Sequence, residues 1–430
     1  MTGSGRTIPE VYVLWHPGCQ MGEALASSIY AWLRPGHGLG PDVYFRSLPR
    51  PGRAGDPLPL PLPGEQRSYP DPNPKVTPRR AQVVSMQILV LLIDCNMVAD
   101  ASWRYWLEQL STSTHKAGLT RVFLPVALDF TAFNIPSSIG RLNFLRPSGL
   151  PLPVNPTPAA TATVARSLCK QLTESLCQLL LGRLEGKADP AQTPTTVSLS
   201  PTKVAVFLSH AKKDGNKPAR RIRDYIYAHT QLAAFFDEND IPFGTAFAQV
   251  IQSGVSQSHT AALIVILSAY YATRPWCRRE LSVFRQPLPD PHHAGCPESW
   301  RLNPLLVVDA LDSGTHTFGI PEVGNSPHIR WNEAQADLEE QVVTLVLRDA
   351  LLRAFHAALG RFIPAKPDGS RIVINWLPDP TTLLMIPRVR AATAELEVCY
   401  PGKGLSALEL ETLDRYFPHV DFRNYEQVLA

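Results

Sequence analysis

Trp276 and Glu280 stand four residues apart in WCRREL (276–281). In a helix that spacing puts both side chains on one face. An indole plate beside a carboxylate suits a planar cationic ring joined to a sugar. The ring stacks on the indole. The carboxylate accepts hydrogen bonds from ribose hydroxyls and stabilises an oxocarbenium-like transition state. Arg274, Arg278 and Arg279 lie close by in sequence. On the residues alone a plainer account also holds, in which Trp276 and Cys277 pack a helix onto a sheet and Glu280 is a solvated helix carboxylate.

Other chemistry is thinly represented. There is no Walker loop, no GxGxxG after a strand, no HExxH and no GxSxG. YPGKGL (400–405) lacks the spacing and the Ser/Thr of a phosphate loop and reads as a turn. Lys212, Lys213, Lys217, Arg220, Arg221 and Arg223 read as a charged outer helix face rather than a pyrophosphate site. His292, His293 and Cys296 match no standard metal spacing and are expected in solvent.

The elements that must position these residues fall into three modules. The first covers 8–186, with strands expected at VYVLWH (11–16), VYFRSL (43–48), ILVLLID (88–94), VFLPVALD (122–129) and LNFLRP (142–147). Helices are expected at 22–33, 103–110 and 160–185. After a linker (187–202) the second module, 203–360, repeats this order. Its strands are VAVFLSH (204–210), AAFFD (233–237), ALIVILS (262–268), LLVVDA (305–310) and HIRW (328–331). Its helices are expected at 217–229, 245–258, 276–284 and 333–359. The matched order, offset by about 180 residues, marks the two modules as diverged copies. A smaller α/β module spans 364–430, with strands at 371–377, 396–402 and 420–425 and a helix at 405–417. Alternating strands and helices imply an α/β fold with parallel sheets. In such sheets ligands bind beyond the carboxyl ends of the strands, at the switch point. There SHAKKD (209–214), DENDIPFG (237–244), SAYYATRP (268–275) and the start of the Trp276 helix converge.

Composition narrows the class. The 430 residues include 41 prolines against 26 glycines, roughly twice the usual ~5% proline. Yet 44% are hydrophobic and only 18% charged, which excludes global disorder. The prolines punctuate folded modules, clustering at 49–78, 147–158, 190–201 and 287–297. A net charge of +3 gives no sign of a nucleic-acid binder. The seven scattered cysteines form no CxxC pair, which fits a reducing cytoplasm and no metal centre. MTGSGRTIPE lacks a secretory leader pattern, and ILVLLI (88–93) is too short to span a bilayer, so a soluble cytoplasmic protein is expected.

VAVFLSHAKKD (204–214), FFDENDIPFGTAF (235–247), ALIVILSAYYATRPWCRREL (262–281) and HIRW (328–331) together resemble the Toll/interleukin-1 receptor (TIR) family, above all its bacterial branch. The resemblance covers about one domain. It implies a flavodoxin-like fold, with the first module as a diverged, non-catalytic TIR-like domain. It also implies hydrolysis or cyclisation of NAD at the nicotinamide–ribose bond, with NAD as substrate and no cofactor. By the same matching Glu280 is the essential glutamate of a WCxxE pattern and Trp276 stacks on the substrate. Ser209, His210, Asp237, Gly244 and Phe247 line the site, the last three on the BB loop. In the first module WRYWLE (103–108) sets Glu108 five residues after Trp103 or two after Trp106, neither of which is the four-residue step.

The resemblance further implies an effector of bacterial, antiphage defence, activated by assembly into a homo-oligomer or filament and answering an upstream sensor or signalling nucleotide. A non-catalytic adaptor or scaffold, or a nucleotide sensor, is the alternative.

Overall fold

The computed structural model describes residues 7–34, 40–47, 84–112, 120–135, 137–150, 156–184, 204–230, 232–236, 261–290, 298–311, 319–402 and 404–429. The chain divides into two compact units, Met1–Ser175 with Ala188–Ser198, and Leu176–Lys187 with Leu199–Ala430.

The first unit runs β1 (Thr7–Trp15), α1 (Gly22–Leu33), β2 (Asp42–Ser47), β3 (Val84–Ile93), α2 (Cys95–Ala99), α3 (Ala101–Thr112), β4 (Thr120–Ala127), α4 (Ser137–Gly140) and α5 (Pro158–Leu184). Helix α5 passes into the second unit from Leu176 on. The sheet is wholly parallel, in the order β2-β1-β3-β4. The apolar run of β3 is what a strand covered on both faces requires. On one face Tyr12, Leu14, Leu89, Leu91 and Ile93 pack against Trp103, Leu107 and Leu110 of α3. Each large side chain buried this way contributes about 1.5–3 kcal/mol.

LNFLRP does not form the expected fifth strand. It is reduced to one parallel bridge, Val126 with Leu145. The next residue, Arg146, gives both backbone groups to the Gln171 side chain, its N–H at 3.0 Å and its carbonyl at 2.9 Å. Pro147 has no N–H to continue a ladder. The proline-rich stretch at 49–78 lies outside the described residues, as does the linker as far as residue 203.

The second unit opens with β5 (Ala205–His210), α6 (Asn216–His229), β6 (Ala233–Phe236), β7 (Ala261–Leu267) and α7 (Pro275–Phe284). Next come β8 (Leu288–Pro289), β9 (Glu298–Arg301), β10 (Leu305–Asp309), β11 (His328–Arg330) and α8 (Leu338–Gly360). Strands β6-β5-β7-β10-β11 form a parallel sheet in that order. The order reverses between β5 and β7, the doubly wound, flavodoxin-like pattern. The helix expected at 245–258 lies outside the described residues.

The rest of the unit is β12 (Arg371–Ile374), α9 (Pro380–Leu383), α10 (Pro387–Arg390), β13 (Leu396–Tyr400), α11 (Ala407–Tyr416), β14 (Val420–Asn424) and α12 (Tyr425–Leu429). Its sheet runs β14-β13-β12-β9-β8, parallel except for β8. Strands β8 and β9 come from the chain between α7 and β10, a segment read from sequence as a proline-rich loop. That loop's His292, His293 and Cys296 lie outside the described residues. Helix α8 is buried on nearly every side because it packs on β7 and β10 of one sheet and on β9 and β12 of the other. Glu339 and Glu340 in its first turn suit its macrodipole.

In YPGKGL φ is positive at Gly402 (95°) and Gly404 (115°), as a turn requires, while Lys403 between them lies outside the described residues. The N-terminus of α11 behind it is filled by its own capping box. Ser406 donates its backbone N–H to the Glu409 carboxylate at 2.8 Å. Among the described residues no helix is long and apolar enough to cross a membrane.

Candidate functional site

Helix α7 explains why Glu280 is not an ordinary surface carboxylate. Pro275 sits in its first turn, where a missing N–H costs nothing. Its buried residues are Cys277, Glu280, Leu281 and Phe284. That is the i, i+3, i+4, i+7 stripe of a helix packed on a core, with a carboxylate at its second place. Trp276, by contrast, is 47% exposed and Arg279 lies over its ring at 5.6 Å. The two residues of the plainer account have thus exchanged environments. The indole faces solvent and the carboxylate is buried.

A buried carboxylate must be hydrogen-bonded. The Ser209 hydroxyl donates to Glu280 Oε2 at 2.8 Å. Ser209 is the penultimate residue of β5, at the switch point, and only 1% exposed. Its Oγ also lies 2.9 Å from the Tyr271 hydroxyl. Tyr271 OH in turn lies 3.3 Å from the Cys277 carbonyl. Burial pushes the Tyr271 phenol far above its ordinary range, so it stays protonated.

Above Glu280 opens a cavity of about 400 Å³, walled by His210, Lys212, Lys213, Arg274, Trp276 and Glu280 among others. That is within the ~300–1,000 Å³ range of small-molecule sites. The loops after β5 and β7 shape it together. Asp214 accepts from the Ser268 hydroxyl at 2.6 Å and from the Tyr270 N–H at 2.9 Å. Lys213 donates to the Tyr270 hydroxyl and sits over that ring. The basic cluster of the sequence therefore splits. Lys212 and Lys213 face the cavity, while Lys217, Arg221 and Arg223 pair with Glu333, Glu339 and Asp224 and are not among its lining residues. Arg278 pairs with Glu322 at 2.6 Å, and Arg274 lines the cavity.

Glu280, Trp276 and His210 are thus brought together around one cavity, and Ser209 lies beneath it, bonded to the carboxylate. Asp237, Gly244 and Phe247 lie outside the described residues. The sequence reading passed over Tyr271. It adjoins Tyr270, and only burial separates them, 0% against 38% exposed.

The first unit supplies an internal comparison. The residue after β4, Leu128, donates to the Ile93 carbonyl, and the residue after β10, Ala310, donates to that of Leu267. Ile93 and Leu267 are therefore equivalent. Two residues earlier Leu91 pairs with Leu14, and Val265 pairs with Ser209. Leu14 thus holds the place of Ser209. Counted forward from the same anchors, Met97 holds the place of Tyr271, and Trp103 that of Cys277. Trp103, Trp106, Leu107 and Leu110 then reproduce the stripe of α7, with Trp106 at the place of Glu280. Glu108 is turned elsewhere, accepting from Ser138 at 3.2 Å. In the loop after β1, His16 is bound to Asp100 at 3.3 Å and Gly18 to the Asn96 amide at 3.1 Å.

A family model described as TIR domain matches residues 206–297. No curated protein matches. Among solved structures, the TIR domains of the activated Roq1 resistosome directly recognizing the pathogen effector XopQ match with 16% identity. That match covers 36% of this chain and 84% of the other, with a TM-score of 0.19. Among the described residues no cluster of His, Cys, Asp and Glu could hold a metal ion. The chain carries a TIR domain at residues 206–297, within a doubly wound parallel sheet whose switch point opens onto Glu280.

Proposed function

We propose that the second unit cleaves the nicotinamide–ribose bond of NAD, with Glu280 as the catalytic carboxylate. The single observation behind this is a carboxylate set in the core stripe of α7 yet opening onto a cavity beside a half-exposed indole. A helix that only packed would carry an apolar residue there, as α3 does with Trp106. The nicotinamide ring stacks on Trp276. Lys212, Lys213 and Arg274 give the cavity a positive rim for a diphosphate. The C–N bond breaks with its electron pair going to nicotinamide, which leaves neutral. Glu280 stabilises the cation left on the ribose, and water or an internal nucleophile adds to it and gives up a proton.

In the same reading the first unit does not cleave, because the places of Ser209, Tyr271 and Glu280 are held by Leu14, Met97 and Trp106. It binds, senses or assembles. The protein as a whole is then an effector switched on by assembly, in keeping with a role in bacterial defence.

The test is nicotinamide release from NAD by the purified full chain, dilute and crowded, with Glu280→Ala alongside. Release that survives the substitution removes the mechanism. No release in any state leaves a scaffold or a nucleotide sensor.

A further inference from the structure

We propose that Tyr271 is a positioning residue that sets the hydrogen-bond state of Glu280 through Ser209. The inference rests on the reading of Glu280 as the catalytic carboxylate, and concerns how that carboxylate is held.

A serine hydroxyl has one proton to give, and so does a phenol. Ser209 spends its proton on Glu280 Oε2 at 2.8 Å. The 2.9 Å contact between Ser209 and Tyr271 then requires Tyr271 as donor. The other acceptor within reach of Tyr271, the Cys277 carbonyl, is more distant at 3.3 Å. Two hydroxyls thus point in series at the carboxylate. Both are buried, with Ser209 1% and Tyr271 0% exposed. Consecutive hydrogen bonds polarise one another, so the Tyr271 donor strengthens the bond that Ser209 gives.

The chain also stays satisfied when reversed. A proton on Glu280 Oε2 is given to Ser209, Ser209 gives its own to Tyr271, and Tyr271 turns to the Cys277 carbonyl. A phenylalanine at 271 would fill the same space and serve neither direction. The first unit points the same way. It carries Met97, Leu14 and Trp106 at the places of Tyr271, Ser209 and Glu280, so all three polar groups are absent together.

Two measurements on the full chain test this. The first needs no turnover. With tyrosine labelled at 13Cζ, and the Tyr271 line identified from Tyr271→Phe, Glu280→Gln should displace that line. In a Ser209→Ala background the displacement should vanish. A Tyr271 line indifferent to Glu280→Gln, or equally responsive without Ser209, overturns the proposal. The second is kinetic, on nicotinamide release. Tyr271→Phe should lower kcat about three- to tenfold and Ser209→Ala about ten- to a hundredfold, both with little change in KM. The double variant should match Ser209→Ala alone. Effects that multiply independently overturn it. If the protein releases no nicotinamide while the Tyr271 line still follows Glu280 through Ser209, the NAD-cleaving reading fails and the relay stands.

Discussion

The Ser209 hydroxyl and the Glu280 carboxylate, 71 positions apart in sequence, meet at 2.8 Å in the interior of the second unit. Ser209 is the penultimate residue of a central strand and Glu280 lies within the core stripe of the helix packed over it. Neither position tolerates a polar side chain by default. Each is hydrogen-bonded to the other, and Glu280 lines the cavity beside Trp276.

Glu280→Gln keeps the shape of the side chain and removes its charge. Nicotinamide release should fall by about 10²-fold or more. The melting temperature should hold or rise, because a buried charge is replaced by a neutral amide. Loss of activity accompanied by a collapsed melting transition would count against a catalytic role.

Trp276→Ala separates binding from chemistry. The indole is half-exposed, so its loss leaves the core intact and should cost less than about 0.5 kcal/mol of stability. KM for NAD should rise about tenfold, with kcat changing by less than about threefold. A KM unchanged from the parent would show that the substrate ring does not stack there.

Gly22→Ala probes the first unit. A Cβ at Gly22 would sit 2.1 Å from Cδ1 of the Trp15 indole. Trp15 is buried and stacks near Phe45 at 6.4 Å, so the ring has little room to yield. The helix gain of about 1 kcal/mol from Gly to Ala is outweighed by overpacking of about 1–3 kcal/mol. Urea unfolding of the full chain, followed by a probe in the first unit, should show an earlier midpoint. A later midpoint would refute the clash.

Glu397 gives a pH signature to the last sheet. Burial by itself raises its carboxyl, but hydrogen bonds from Arg371, Lys366 and Cys399 outweigh that and hold it below the ordinary 4.5. A folded-state value below the unfolded one stabilises the fold at higher pH, and that contribution fades as pH falls through the folded value. The parent should therefore lose more stability than Glu397→Gln between about pH 6 and about pH 3. Parallel losses in urea unfolding would contradict the assignment.

The sequence made the local features legible. The apolar runs of β3 and β7 and the proline-opened stripe of α7 each announce themselves within ten residues or so. What it hid is non-local. The four residues of β9 carry no periodicity of their own, and their pairing with β12 depends on chain some seventy positions away. LNFLRP has strand-like composition, yet Gln171 from α5 takes the backbone groups of Arg146 that a ladder would need. Ser209 was visible as a strand end, but its acceptor was not. Tyr270 and Tyr271 cannot be told apart by type or spacing, only by which way the turn after β7 faces them.

Strands β8 and β9 have a consequence for how the protein can be cut. The chain leaves α7, contributes to the C-terminal sheet and only then returns to β10. Arg285, at the end of α7, reaches Asp379 of the later segment at 3.7 Å. The helix that bears Glu280 and the last seventy residues therefore stand or fall together. Trimming the chain after α8 would strip β9 of its β12 neighbour, bare a row of unpaired backbone groups and take from the buried Arg285 guanidinium its carboxylate partner, leaving it the Val323 carbonyl and the Ser326 hydroxyl. The sheet that carries Ser209 is not a detachable cassette, and the C-terminal strands are its wall rather than its tail.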